Sequence, residues 1–294
     1  MTKGYAGRVA APAKVNLSLH VGPARADGRH PLDSLVMFAG EAACDWLDFT
    51  PADQTGLRVT GASGEATGRV EDNLALRALR ALERAAPGLP PHQIVLEKAL
   101  PVAAGLGGGS ADAGAVLRAL GPLAGLSEAD LFSLAVPLGG DVPACVLARA
   151  CRMQGDGDRV EPVPGLPSLS ALLVNPGLAC PTGPVFTAFD GMGSHRWTDP
   201  EPLPSRAGQS AQALIAWLDA ETRNDLEAPA CTLVPAIKDV LAALSSLTGA
   251  ALVRMSGSGA SCFALFETIE AAQAAHDDLV RIRPDWWARP VLLR

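Results

Sequence analysis

The sequence predicts an α+β fold in two domains, residues 1–160 and residues 161–294. Segments with the period of a strand and segments with the period of a helix follow one another irregularly, without the βα alternation of a doubly wound sheet. The turn-forming residues 155–158 lie just before the predicted boundary. A chain of 294 residues suits one large domain or two ordinary ones.

The composition argues against several classes of protein. Hydrophobic residues make up 48% of the chain and charged residues 19%, which supplies a core and argues against disorder. The formal net charge of −7 argues against binding of nucleic acid through non-specific charge, because that needs a basic face. Prolines, glycines and an aspartate break the most apolar stretch, residues 131–148, so it is not a membrane span. The six cysteines are scattered, and we expect a cytoplasmic protein without nucleic-acid or membrane partners.

The first element with a clear period is a strand over residues 15–21. Apolar residues take the odd positions and polar residues the even ones, which predicts a half-buried strand. Lys14 and Asn16 then lie on its polar face. Residues 27–31 follow with the composition of a turn.

Further helices and strands are predicted along the whole chain. Asp72 can cap a helix over residues 73–86, and Ser127 with Asp130 predicts a capping box for a helix over residues 127–138. The other predicted strands are residues 34–39, 46–49, 57–60, 92–98, 170–174, 251–255, 261–266 and 290–293, and the other helices are residues 111–120, 210–220, 234–244 and 270–281.

The strongest chemical signal is a glycine-rich segment, GLGGGS at residues 105–110, between a predicted strand and a predicted helix. Without Cβ atoms, the backbone N–H groups can converge on an anion at the positive end of the helix. The alternative is a flexible loop or a tight turn. A Walker A motif is excluded because no Gly-Lys-Ser/Thr follows, and the dinucleotide motif is disfavoured because six residues separate Lys98 from Gly105.

Two charged residues stand in otherwise apolar surroundings. Asp141 lies between Gly140 and Val142 in an apolar region. Burying a carboxylate there is unfavourable unless it has a partner or a role in catalysis. Asp141 is equally consistent with a helix N-cap. Lys14 begins a strand destined for the core, although most lysines lie on the surface.

Three motifs in order resemble the GHMP kinase superfamily: PAKVNLSLH at residues 12–20, PVAAGLGGGSAD at 101–112 and MSGSGASCF at 255–263. Segments RADGRH at 25–30, DVP at 141–143 and NDLE at 224–227 add to the resemblance. The resemblance implies an N-terminal domain like the second domain of ribosomal protein S5 and a C-terminal ferredoxin-like domain. Within the superfamily the sequence is most similar to the kinases that use ATP to phosphorylate the 2-hydroxyl of a diphosphocytidyl-linked methylerythritol.

The resemblance also implies roles for individual residues. Lys14 and Asp141 are expected to be catalytic. Five residues are expected to bind the small-molecule cytidyl substrate: Asn16, Arg29, His30, Thr182 and Phe186. The phosphates of ATP, together with Mg²⁺, are expected on Pro101, Val102, Ala103, Ala104, Gly105, Leu106, Gly107, Gly108, Gly109, Ser110 and Ala111.

One position departs from the pattern of that family. Arg29 stands where the family has a tyrosine that is expected to stack on the cytosine, and a guanidinium plane can also stack on a base. Two other functions stay open from the sequence: another small-molecule kinase of the superfamily, acting on homoserine or a mevalonate-type alcohol, and a ligand-sensing homologue without catalysis. The presence of both Lys14 and Asp141 argues against a sensor.

Overall fold

The computed structural model describes residues 4–193, 197 and 210–294, and the predicted α+β class is confirmed. The strands are β1 (Gly7–Pro12), β2 (Lys14–Asn16), β3 (His20–Val21), β4 (Leu32–Phe38), β5 (Cys44–Pro51), β6 (Gly56–Thr60), β7 (His92–Glu97), β8 (Cys151–Gly155), β9 (Arg159–Pro162), β10 (Leu169–Asn175), β11 (Leu252–Met255), β12 (Cys262–Phe266) and β13 (Trp287–Leu293). The helices are α1 (Leu74–Ala85), α2 (Gly108–Leu120), α3 (Glu128–Ala135), α4 (Val142–Leu147), α5 (Thr182–Gly191), α6 (Ala211–Glu221), α7 (Glu227–Leu233), α8 (Ala236–Ser245) and α9 (Ile269–Ile282).

The described residues form two compact units, each assembled from separate stretches of chain. Unit one takes the described residues of 1–14, 43–102 and 107–149, and unit two takes those of 15–42, 103–106 and 150–294. Each unit thus combines segments from distant parts of the sequence. The division of the chain into two domains at residue 160 stays a prediction.

Unit one contains a four-stranded sheet in the order β1-β5-β7-β6. Its pairs are antiparallel except for β6 and β7, which run parallel. Leu76, Leu79 and Leu82 form the predicted apolar stripe of α1 and are buried. The cap differs from the prediction: Asn73, rather than Asp72, accepts a hydrogen bond from the Ala75 N–H at 2.9 Å.

Unit two contains two sheets. One has the order β11-β12-β10-β13 with antiparallel pairs, and the other has the order β2-β4-β8-β9 with β3 also paired to β4. The core of unit two brings together buried side chains of the first sheet, including Leu172 and Phe266, with Val240 of α8 and Leu279 of α9. Within the described residues, no helix is both long and apolar enough to cross a membrane.

The prediction of one half-buried strand over residues 15–21 is wrong in two respects. The segment forms two short strands, β2 and β3, and its polar residues are buried as deeply as its apolar ones. Asn16, Ser18 and His20 are each at most 8% exposed. Burial is possible because each has a partner: for example, the Asn16 amide donates to Ser34 Oγ at 2.7 Å, and Ser18 Oγ accepts from the Leu35 N–H.

Candidate active site

The glycine-rich segment, extended from here on to residues 103–110, has the backbone of an anion-binding nest. Ala103, Gly105 and Gly107 have positive φ angles of 51°, 74° and 64°, whereas Ala104 and Leu106 between them do not. Alternation of this kind turns successive N–H groups toward one concave side. Helix α2 begins at Gly108, three residues before the predicted start, so its N-terminus directly continues the nest.

Three consecutive carbonyl groups of this segment are held by hydrogen bonds. Ala103 O accepts from the Cys180 N–H at 3.1 Å, Ala104 O from the Ser261 N–H at 3.0 Å, and Gly105 O from Ser256 Oγ at 2.9 Å. The C=O and N–H of a trans peptide point to opposite sides, so these bonds direct the N–H groups of residues 104–106 away from the anchors. Within the described part of the chain, those three N–H groups have no acceptor. They are available to an anion.

Two glycines of the segment are required by their surroundings. A Cβ at Gly105 would overlap the carbonyl oxygen of Ser256, and a Cβ at Gly107 would lie 3.1 Å from Lys14 Cε. Both residues also have a positive φ, which side chains disfavour.

Lys14 and Asp141 form an ion pair within unit one. Lys14 Nζ lies 2.7 Å from Asp141 Oδ1, although the residues are 127 positions apart in sequence. The lysine side chain is 3% exposed and the carboxylate 41% exposed. Asp141 does occupy the N-cap position of α4, but its side chain makes no capping hydrogen bond there. The pair places a buried positive charge beside a carboxylate that solvent or a ligand can reach.

Two of the predicted substrate residues, His30 and Phe186, lie together in unit two. Their ring centroids are 5.0 Å apart with an angle of 34° between the planes. His30 Nδ1 lies 2.8 Å from the carbonyl oxygen of Gly22, and since a carbonyl only accepts, Nδ1 carries the proton. His30 Nε2 lies 3.5 Å from an oxygen of Asp190.

The other predicted substrate residues have separate partners. Arg29 is 70% exposed and pairs through Nη1 with Asp156 at 3.1 Å, and Arg25 also contacts Asp156. The hydroxyls of Thr182 and Ser258 are 3.0 Å apart.

Sequence reasoning missed a buried charge cluster in unit one. Lys98 Nζ contacts Asp45 and also Asp112, the latter at 2.8 Å, and all three residues are at most 3% exposed. Burial raises the pKa of Asp112 to about 7, against the opposing charge of Lys98. Within the described residues Asp112 Oδ1 has no partner. Asp45 and Asp112 each interrupt an apolar stretch, the same signal that singled out Asp141.

The described residues contain no group of three or more His, Cys, Asp and Glu side chains that could hold a metal ion. Protein ligands for Mg²⁺ are therefore unassigned. The six cysteines are all buried.

Comparison with known proteins finds matches along almost the whole chain. Residues 73–149 match the family model of the GHMP kinases N terminal domain, and residues 207–282 match that of the GHMP kinases C terminal domain. The chain is 47% identical over 283 residues to a 4-diphosphocytidyl-2-C-methyl-D-erythritol kinase of Hyphomonas neptunium, covering 94% of this chain and 93% of the relative. Relatives with the same name in Caulobacter vibrioides and Paracoccus denitrificans are 46% and 48% identical, covering 95% of this chain and 96% and 94% of theirs.

Solved structures give the same result at the level of the fold. A crystal structure of a 4-(cytidine 5'-diphospho)-2C-methyl-D-erythritol kinase matches with a TM-score of 0.74 and 36% identity, covering 98% of this chain and 99% of that one. A homoserine kinase from Cytophaga hutchinsonii matches with a TM-score of 0.62 and 20% identity, covering 99% and 96%, which is a likeness of fold alone.

Proposed function

Because the chain belongs to the 4-diphosphocytidyl-2-C-methyl-D-erythritol kinase family of the GHMP kinases, we propose that it phosphorylates the 2-hydroxyl of 4-diphosphocytidyl-2-C-methyl-D-erythritol with ATP. This reaction is a step of non-mevalonate isoprenoid biosynthesis. The observation that carries the proposal is identity of 46–48% over nearly the full length of three relatives with that name.

The backbone of the glycine-rich segment supports ATP as the phosphate donor. The unpartnered N–H groups at residues 104–106 supply donors for phosphate oxygens. Mg²⁺ bound with ATP would neutralise part of the phosphate charge. The chain itself contributes fixed dipoles that do not need to reorganise during the transfer.

The Lys14–Asp141 pair supports a role in activating the alcohol. One oxygen of the carboxylate accepts from the ammonium group at 2.7 Å, which orients the side chain. The other oxygen can accept the hydroxyl proton of the substrate, so Asp141 acts as general base. Lys14 is held almost without exposure to water, so its charge is weakly screened and stabilises negative charge that develops on the reacting oxygens.

The His30 region supports recognition of the cytosine. The imidazole ring of His30 lies beside Phe186 and can hydrogen-bond the polar edge of the cytosine. Phe186 offers a flat apolar wall beside it. Arg29 would supply the second wall: Asp156 binds the edge of its guanidinium group and leaves the planar faces available for stacking.

A steady-state assay of the purified protein with ATP tests this function. We expect turnover with the diphosphocytidyl alcohol and no measurable turnover with homoserine or mevalonate at the same concentration. Preferential phosphorylation of homoserine or mevalonate would assign the chain to another kinase of the superfamily. Absence of turnover with every alcohol, in a protein that still binds ATP, would support the sensing function instead.

A further inference from the structure

One buried hydroxyl, that of Ser256, contacts Asn16 and Gly105, and all three residues lie in unit two. Ser256 Oγ donates to the carbonyl oxygen of Gly105 at 2.9 Å and accepts from the backbone N–H of Asn16 at 3.1 Å. These residues are 151 and 240 positions away in sequence. Ser256 is 1% exposed, so water does not compete for either bond.

The backbone that carries Ser256 is itself firmly held. The Ser256 N–H donates to Ser261 O at 2.9 Å, and its carbonyl accepts from the Gly259 N–H at 3.1 Å. The side-chain amide of Asn224 donates to Met255 O at 2.8 Å and to Gly257 O at 2.9 Å. The hydroxyl therefore has a defined position, to which the Gly105 carbonyl is bound.

Among the three anchored carbonyls of residues 103–105, only that of Gly105 is held by a side chain. Ala103 O and Ala104 O are held by backbone N–H groups, which a side-chain substitution does not remove. Gly105 also has φ +74° and the conformational freedom of glycine. Without the hydroxyl, the peptide that joins Gly105 to Leu106 loses this anchor, and the Leu106 N–H is held less firmly in its direction.

We propose that Ser256 is a positioning residue for ATP: its hydroxyl fixes the Gly105–Leu106 peptide so that the Leu106 N–H faces the phosphates. The role rests on the proposed use of ATP by this segment. Ser256 affects nucleotide binding rather than the phosphoryl-transfer step, because its hydroxyl orients the phosphate-binding N–H group before ATP binds.

The test compares Ser256→Ala with Ser18→Ala in the full chain. Ser18 is a matched control, since it is 4% exposed and its hydroxyl also accepts from a backbone N–H, that of Leu35 at 3.1 Å, but it makes no bond to the glycine-rich segment. Calorimetry with ATP alone measures nucleotide affinity, initial rates give both KM values and kcat, and thermal melts report folding.

We expect Ser256→Ala to weaken ATP binding about tenfold, which corresponds to about 1.4 kcal/mol. The KM of the alcohol should change by about twofold at most. Ser18→Ala should bind ATP within twofold of the wild type, and Ser256→Thr, which keeps the hydroxyl, should restore most of the affinity. The inference is overturned if Ser256→Ala binds ATP normally, or if Ser18→Ala weakens binding equally.

A second variant covers the case in which Ser256→Ala does not fold. Ser256→Cys has a similar volume but only a weak donor, so its ATP affinity should fall below that of Ser256→Thr; equal affinities would refute the role.

Calorimetry with ATP alone also separates the two proposals. If ATP binding depends on Ser256 but the diphosphocytidyl alcohol is not phosphorylated, the proposed function fails and the positioning role stands.

Discussion

The substitution Asp141→Asn tests the proposed general base most directly. The amide keeps the shape of the carboxylate and still offers an oxygen to Lys14 Nζ, now 2.7 Å from Oδ1. It removes the negative charge and, with it, the ability to take a proton. The change therefore separates proton transfer from packing.

The expected loss of turnover follows from the usual contribution of a general base. General-base catalysis contributes about 10²- to 10⁴-fold, so kcat should fall at least about 100-fold, or about 2.7 kcal/mol in activation free energy. Stability should change less. Lys14 stays buried at 3% exposure but keeps a hydrogen-bond acceptor, so the free energy of unfolding should fall by about 1 to 2 kcal/mol.

Asp48→Asn provides the control for loss of an ion pair. Asp48 lies 3.2 Å from Arg8 and is 42% exposed, close to the 41% of Asp141. Its replacement should leave kcat unchanged. Initial rates with the diphosphocytidyl alcohol and urea unfolding give both quantities for each variant. If Asp141→Asn is folded and turns over within threefold of the wild type, Asp141 is not the base.

Three further predictions concern binding and stability. Gly107→Val should weaken ATP binding and also lower kcat, because its side chain is disfavoured at φ +64° and presses on Lys14; calorimetry showing unchanged ATP affinity would contradict this. Arg29→Tyr should keep the KM of the cytidyl substrate within twofold, since Asp156 holds the edge of the guanidinium group and leaves its faces for stacking; a tenfold rise in KM would mean that Arg29 binds phosphate instead. Burial raises the pKa of Asp112 to about 7, so the folded state holds its proton more tightly than the unfolded state, and stability falls as the pH rises from about 4 to about 7. The wild-type protein should lose about 2.7 kcal/mol of stability between pH 5 and pH 8 through this group, and Asp112→Asn should abolish that loss in urea unfolding; identical pH profiles of the two proteins would refute the assignment.

Local features of the fold were predictable because they depend on neighbours in sequence. The capping box of Ser127 and Asp130 is present, with the Asp130 N–H donating to Ser127 Oγ at 3.2 Å. The apolar stripe of α1 is buried as its period predicts. Ends of elements were less predictable: α2 starts at Gly108 because the backbone turns at Gly107, and a run of glycines carries no periodicity that shows where a helix begins.

The burial of the first motif was not predictable from its period. Alternating polar and apolar residues normally indicate a strand with one solvent-exposed face. Here the polar side chains of Asn16 and Ser18 bond to Ser34 and Leu35 of β4, which the pattern of a single strand does not reveal.

Residue types at short spacing were enough to predict the family and an anion site at the glycine-rich segment, and to single out Lys14 and Asp141. Which residues meet depends on the packing of the tertiary structure. Lys14 pairs with Asp141 across 127 residues, and Ser256 joins Asn16 and Gly105 across 240 and 151 residues. Such contacts depend on how strands and loops distant in sequence are packed, and side-chain pairing at that range leaves no periodic signal in the chain.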